Sequence, residues 1–366
     1  MDINQQVLDL AVAIQQIPAP TFQEAERAAF VRKTFLAEGL NDVTQDEMGN
    51  VYARFSGNDS ATPVVVTAHL DTVFPSGTDL SLLRYPDRIT GPGIGDNSLG
   101  LAGLFGLVWS LRAEGHIPHD NIWLVANVGE EGVGDLCGMR AVVERFGSSP
   151  KAYVVLEGLV LGKVYHRGLG VKRYSITVFT EGGHSWVDFG KRSAIHEMAQ
   201  LVTKLIGITL PAEPRTTLNV GLIGGGTSVN TIAPEAFLQL DLRSECSQAL
   251  ARLEEAVREE VGQAQGEGIE IRMEVIGERP MGALPEDHPL VELAAHCLEA
   301  QGIKPCFSIG STDANVPISK GIPAICIGLT RGSGAHTVKE TIHTDFLNRG
   351  LEQLVCLVKG IETLNF

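Results

Sequence analysis

The run Val64-Val65-Val66-Thr67-Ala68-His69-Leu70-Asp71-Thr72 is a block of β-branched and small residues that ends on a histidine and an aspartate. Apolar at consecutive positions, it reads as a strand buried on both faces, as in a parallel sheet covered by helices. His69 and Asp71 sit two apart, so at strand spacing their side chains leave the same face of the strand end. A second apolar run closes at Asn127-Val128-Gly129 and is followed at once by Glu130-Glu131. Between the two lies Gly91-Pro92-Gly93-Ile94-Gly95-Asp96-Asn97-Ser98. Its glycines allow backbone paths closed to other residues and carry the Asp96 carboxylate toward the same edge. Three segments therefore offer hard or borderline metal ligands in one place.

Working outward, apolar strands alternate with helical patterns from Val51 to Glu157: Pro63–His69, a helix over about 98–112, Ile122–Asn127, a helix near 138–146, and 153–156. That alternation predicts an α/β layered domain. Ahead of it, Thr21-Phe22-Gln23-Glu24 has the form of a capping box and predicts a scaffold helix closed by Gly39. After His166 the strands at 172–180, 217–222 and 235–243 alternate polar and apolar residues, with helices near 193–206 and 247–262. An open sheet with helices on one side is expected there. The first pattern then returns, with a helix near 289–301, strands at 306–309 and 324–328, and a last helix near 346–362. The expected organisation is a discontinuous domain, residues 1–166 and 275–366, with a second domain, 167–274, inserted in it.

A chain of 366 residues that is 44% hydrophobic exceeds one ordinary core. Its formal net charge of −15, with no Lys/Arg-rich run to offset it, excludes a nucleic-acid-binding surface. No window approaches the roughly 20 apolar residues of a membrane helix, and Met1-Asp2-Ile3-Asn4 does not open a leader, so no membrane partner and a cytoplasmic location are expected. Cys137, Cys246, Cys297, Cys306, Cys326 and Cys356 form no C-x-x-C pair and read as free thiols packed as small hydrophobes.

Adjacent carboxylates such as Glu130-Glu131 either face water in a turn or are held together by a cation or a proton. With His69, Asp71 and Asp96 converging on the same edge, the cation reading is the stronger. At these residues the chain resembles the co-catalytic zinc exopeptidase and amidohydrolase family that includes glutamate carboxypeptidase, peptidase T, aminoacylase, acetylornithine deacetylase and succinyl-diaminopimelate desuccinylase. The markers are His69-Leu70-Asp71-Thr72, Gly95-Asp96-Asn97, Gly129-Glu130-Glu131-Gly132, Leu156-Glu157-Gly158, Gly182-Gly183-His184-Ser185, the run 224–230, and Gly334-Ala335-His336 with Glu340. They span nearly the whole chain in order.

The resemblance implies a zinc-exopeptidase-like catalytic α/β domain with an inserted α+β, ferredoxin-like lid or dimerisation domain. It implies two zinc ions per subunit: His69 and Glu157 on one, Glu131 and His336 on the other, Asp96 bridging both. Cobalt or manganese suits the same ligands. Asp71 then orients His69, a cis peptide follows Asp96, and Glu130 is the general base that passes a proton from water to the leaving amine. His336 follows a glycine-bearing loop and is preferred over His343, which reads as a residue of the cap region before the last helix. His116, His119, His166, His196, His288 and His296 show no ligand spacing and read as surface or helix residues. A structural zinc protein conflicts with the lack of cysteine among the candidate ligands.

In the inserted domain, His184 read alone is a structural histidine, whereas the resemblance implies that it stabilises the oxyanion in a partner subunit of a homodimer. The 224–230 run is a flexible hairpin, or, by resemblance, places Asn230 against substrate. Arg243 is either salt-bridged or grips a substrate carboxylate in bidentate fashion. Asp313 matches the family pattern near the site without a role. The expected function is hydrolysis of small peptides as an exopeptidase, with an N-acyl amino acid deacylase and a non-catalytic metal-containing binding protein as the alternatives.

Overall fold

Val64–His69 is a strand, and all six of its residues are buried. It is the centre of a nine-stranded sheet whose order is Asn41–Gln45, Val51–Phe55, Ile122–Asn127, Val64–His69, Ala152–Glu157, Ala324–Gly328, Lys163–Gly168 and Gly282–Ala283, with Cys306–Gly310 also paired to Lys163–Gly168. The computed structural model describes residues 2–57 and 62–364; Met1 of the amino-terminal reading lies outside them. Ile122–Asn127, Val64–His69, Ala152–Glu157 and Ala324–Gly328 are parallel neighbours, paired so that His69 lies opposite Asn127 and Gly328 opposite Glu157. The carboxyl ends of four strands thus line one edge, where ligands bind in open α/β sheets.

Alternation along each strand feeds two cores. Val64, Val66 and Ala68, with Ile122, Leu124 and Ala126, pack against the helices Ile3–Gln15, Ala25–Ala37, Gly100–Ala113, Pro289–Ala300 and Leu347–Thr363. Val65, Val125, Tyr153 and Val155 point the other way, onto the helices Cys137–Phe146 and Asn315–Ser319. Burial on both faces is why Val64-Val65-Val66 carries no polar residue. Truncating a fully buried leucine of this layer such as Leu104 to alanine costs about 2–5 kcal/mol.

The chain separates into two units, Met1–Gly168 with Gly282–Phe366, and Leu169–Met281. The return crossing lies at Met281/Gly282 rather than near residue 275, because a strand absent from the sequence reading, Glu270–Arg279, completes the inserted unit. Its charged residues alternate so densely with apolar ones that no buried block announces it.

The inserted unit is an antiparallel four-stranded sheet in the order Thr216–Gly225, Glu235–Ser244, Gly170–Phe179, Glu270–Arg279. The helix Ala194–Ile206 follows the first strand in sequence and Ser247–Ala264 precedes the last, giving the βαββαβ, ferredoxin-like order. Ala236, Leu238, Leu240 and Leu242 alternate onto the helix side, where Met198, Leu201, Leu205, Leu253 and Val257 meet them at helical spacing. Among the described residues, no helix is long and apolar enough to cross a membrane.

Candidate metal centre

The site in the larger unit grows from the ends of its strands. His69 closes Val64–His69 and is almost wholly buried. Its Nδ1 lies 2.9 Å from the backbone oxygen of Asp71. A carbonyl only accepts, so Nδ1 carries the hydrogen, and Nε2 faces Asp96 Oδ1 at 3.1 Å and Glu157 Oε2 at 3.8 Å. Glu157 closes the neighbouring strand, Ala152–Glu157. Across Asp96, the other carboxylate oxygen, Oδ2, is 3.2 Å from His336 Nε2, which is also 3.2 Å from Glu131 Oε1. One carboxylate thus serves two imidazoles, one through each oxygen. Ligand atoms of His69, Asp96 and Glu131 all lie within 4.8 Å of one another.

The loops that deliver these groups are locked by hydrogen bonds. Gly129 turns at φ 65°, and a Cβ there would meet Cys137 Sγ at 2.4 Å, so the chain can leave Ile122–Asn127 and present Glu130-Glu131 at once. Asp71 Oδ1 accepts the Glu130 N–H at 3.0 Å and Oδ2 accepts the Glu131 N–H at 2.9 Å. The Asp71 carboxylate is 3.5 Å from His69 Nδ1, so its backbone carbonyl makes the shorter contact to the ring and its carboxylate holds the glutamate pair. The Asp96–Asn97 peptide is cis. Asn97 is fully buried, donates Nδ2–H to the Leu156 carbonyl at 2.8 Å and accepts the Gly158 N–H at 3.0 Å, fastening the Asp96 loop on both sides of Glu157. His336 sits at φ 64°, after Gly334 and Ala335.

Electrostatics point to a cation. Burial opposes charge on His69, yet Asp71, Asp96 and Glu157 outweigh it and hold its pKa well above the ordinary value. Asp96 and Glu131 raise His336 to about 10. Burial pushes Glu157 up to about 7, with His69 pulling against it and the charges of Asp96 and Asp313 adding to it. Crowded carboxylates that draw protons onto both rings are the donor set that a divalent cation satisfies, and His/carboxylate sets of this kind accept zinc. The residues fit such an ion. Glu130, the expected base, is buried beside Glu131. Asp313 is fully buried and accepts Asn127 Nδ2–H at 2.7 Å, at the carboxyl end of Ile122–Asn127.

Four residues have roles at the site that the sequence reading did not give them. Thr21 does not cap a helix: the helix is Ala25–Ala37, with no side-chain cap, and Thr21 Oγ1 donates to Asp71 Oδ2 at 2.9 Å. Phe22 turns at φ 71° and the helix opens only at Ala25 with Glu24 as its N-cap residue, so Thr21 lies outside the cap position. Glu24 accepts the Gly129 N–H at 3.2 Å. Arg27, fully buried, donates to the carbonyls of Leu70 at 2.9 Å and Ile17 at 2.6 Å. That helix therefore braces the site and is not mere scaffold. Glu340 accepts from Gly95 and Asp96. His166 is a further correction: it is buried, its Nδ1 is 2.6 Å from the Leu284 carbonyl, and it is a core residue, not a surface one.

In the inserted unit, His184 and Asn230 are brought together. Gly183-His184 pairs with Thr231-Ile232, and the Ser185 N–H donates to the Asn230 carbonyl at 3.0 Å. His184 Nδ1 accepts the N–H groups of Trp186 at 3.2 Å and Val187 at 3.4 Å, which leaves Nε2 as the donor on an exposed ring. Arg243 is not with them. Its Nε donates to Asp241 Oδ2 at 2.7 Å, and it lies far along its strand from Glu235, a distance of roughly 26 Å at strand rise.

The family model of peptidase family M20/M25/M40 matches residues 65–360. The uncharacterised protein YqjE of Bacillus subtilis (strain 168) is 25% identical over 373 residues, which is 97% of this chain and 98% of that one. Among solved structures, a tripeptidase from Staphylococcus aureus subsp. aureus Mu50 superposes with a TM-score of 0.81 at 21% identity over 99% of each chain. The aminopeptidase PepT from Bacillus cereus ATCC 10987 superposes with a TM-score of 0.77 at 24% identity over 98% of each chain. At those identities the likeness to the two structures is one of fold.

Proposed function

The chain belongs to peptidase family M20/M25/M40 and is a hydrolase, and from that premise we propose that it is a two-metal exopeptidase cleaving an amide bond of small peptides. His69 and Glu157 would hold one zinc ion, Glu131 and His336 the other, and Asp96 both. The observation that carries the reading is the placement of Asp96, with Oδ1 at 3.1 Å from His69 Nε2 and Oδ2 at 3.2 Å from His336 Nε2. A structural zinc site is closed by four protein ligands, usually with cysteine, whereas this His/carboxylate set leaves positions open for chemistry.

When bound, the metal pair supplies Lewis-acid activation of water and of the scissile carbonyl. Glu130, excluded from bulk water beside Glu131, takes the proton of the attacking water and gives it to the leaving amine. Asp71 fixes the backbone of both glutamates, so that base and ligand keep their spacing. His184, with its donor on Nε2, stabilises charge on the carbonyl oxygen, serving the site of a second subunit in a homodimer. Asn230, whose carbonyl accepts the Ser185 N–H, contacts the substrate backbone. Arg243 is given to its ion pair with Asp241.

The test exposes zinc-loaded protein, with a chelated control, to a pool of di- and tripeptides and N-acyl amino acids, and reads products by mass spectrometry. Chelator-sensitive loss of a terminal residue supports the exopeptidase. Release of acyl groups alone moves the protein to the deacylases. Full metal loading without turnover of any pool member favours a binding protein and defeats the proposal.

A further inference from the structure

We propose that Glu340 is a positioning residue for Asp96, holding the loop so that the two carboxylate oxygens divide between the two metal positions; this rests on the two-metal reading above. Glu340 is fully buried, and its Oε1 accepts the Gly95 N–H at 2.6 Å and the Asp96 N–H at 2.8 Å. Its backbone extends the same connection. The Glu340 carbonyl accepts the Gly91 N–H at 2.8 Å, and the Glu340 N–H donates to the Thr337 carbonyl at 3.0 Å. One residue therefore grips the Asp96 loop at both ends and ties it to the turn that carries His336.

A buried carboxylate among other acids is unfavourable unless hydrogen bonds compensate it. Here two short bonds from adjacent N–H groups do so, while Oε2 has no hydrogen-bond partner. An apolar side chain of similar size would fill the space and leave both N–H groups unmet, freeing the peptide planes that aim Asp96. Since Asp96 lies between His69 and His336 at 3.1 and 3.2 Å, a small rotation spoils both contacts at once.

The test compares Glu340→Ala and Glu340→Gln in the full chain, stripped of metal and titrated with zinc against a chromophoric chelator, with circular dichroism to verify folding. Loss of a group that orients a ligand weakens metal affinity by roughly 10–100-fold, and that is the change expected for Glu340→Ala. Glu340→Gln keeps the acceptor oxygen and is expected to match the parent. A folded alanine variant with parental affinity overturns the proposal. So does a folded glutamine variant that binds zinc roughly 10-fold or more weakly than the parent, a comparison that stands even where alanine unfolds the chain. Peptide turnover is read separately: a parent that binds zinc but cleaves nothing defeats the proposed function, while the titration still decides the role of Glu340.

Discussion

The Asp71 carboxylate accepts the backbone N–H of Glu131 at 2.9 Å through Oδ2, and its other oxygen takes the preceding N–H. Asp71, two residues past His69, thereby orients the carboxylate pair that follows a different strand. Thr21 adds a third donor to the same group. Burial alone would raise the Asp71 pKa, but His69 and the two N–H groups hold it below the ordinary carboxylate value.

Asp71→Asn should therefore be more than a loss of charge. An amide nitrogen would face an N–H group where a carboxylate oxygen now accepts, so zinc affinity is expected to fall roughly 10–100-fold. Metal titration of the folded variant checks this; parental affinity would show that the Glu130-Glu131 turn holds itself.

Glu130→Gln should keep the metal and lose the reaction. General acid–base catalysis contributes roughly 10²–10⁴-fold, and kcat is expected to drop by that amount with metal content unchanged. Elemental analysis beside steady-state kinetics decides it. A variant as fast as the parent removes Glu130 from the role of base.

His184→Ala should lower kcat by roughly 10²–10³-fold, as for one lost oxyanion donor, with metal content again unaltered. Mixing this variant with Glu130→Gln tests the partner-subunit arrangement. Activity regained in the mixture supports donation between subunits; none regained, with mixed dimers present, counts against it.

Asn97→Ala removes both fastenings around Glu157 and leaves the Gly158 N–H and the Leu156 carbonyl without their partner. Each such buried group costs about 1–3 kcal/mol, so a loss of about 2–6 kcal/mol is expected in denaturant unfolding. An unchanged midpoint would mean that the loop is held elsewhere.

The inserted unit carries an acid-sensitive contact. Burial would raise Glu254, but the Tyr174 hydroxyl at 2.6 Å, Arg258 at 2.9 Å and Lys172 at 3.2 Å outweigh it and hold its pKa at about 2. A depressed carboxylate pKa stabilises the fold above the unfolded value of 4.5, and that contribution is lost as pH falls toward 2. The Tm gap between parent and Glu254→Gln should be constant near neutrality and should narrow below pH 4.5. A gap independent of pH down to pH 3 would show that the ion pairs are screened.

Much of this protein is legible without coordinates. The sheet is foretold by Val64-Val65-Val66 and by the apolar run Ile122–Asn127, and the ligand types appear where those runs stop, because a strand buried on both faces must end before it can present a charge. The ferredoxin-like unit is harder. Its strand Glu270–Arg279 is amphipathic, and a period-two pattern diluted by charges looks like surface chain.

What the chain order itself determined is most of the elements and the residue types offered at their ends, His69, Asp96, Glu130 and Glu131 among them, whereas Glu157 and His336 entered through the family resemblance. Periodicity and residue type are local properties, and they survive in a linear reading. Only the tertiary structure decided how those donors are held. Thr21 reaches Asp71, Glu24 reaches Gly129 and Glu340 reaches Gly95 across separations of 50, 105 and 245 residues. Which acceptor a hydroxyl or an N–H finds depends on which segments pack together, and a buried polar group takes whatever partner the closed fold brings within reach. Thr21 shows the difference most plainly: its sequence context says helix cap, and the folded chain makes it a support of Asp71.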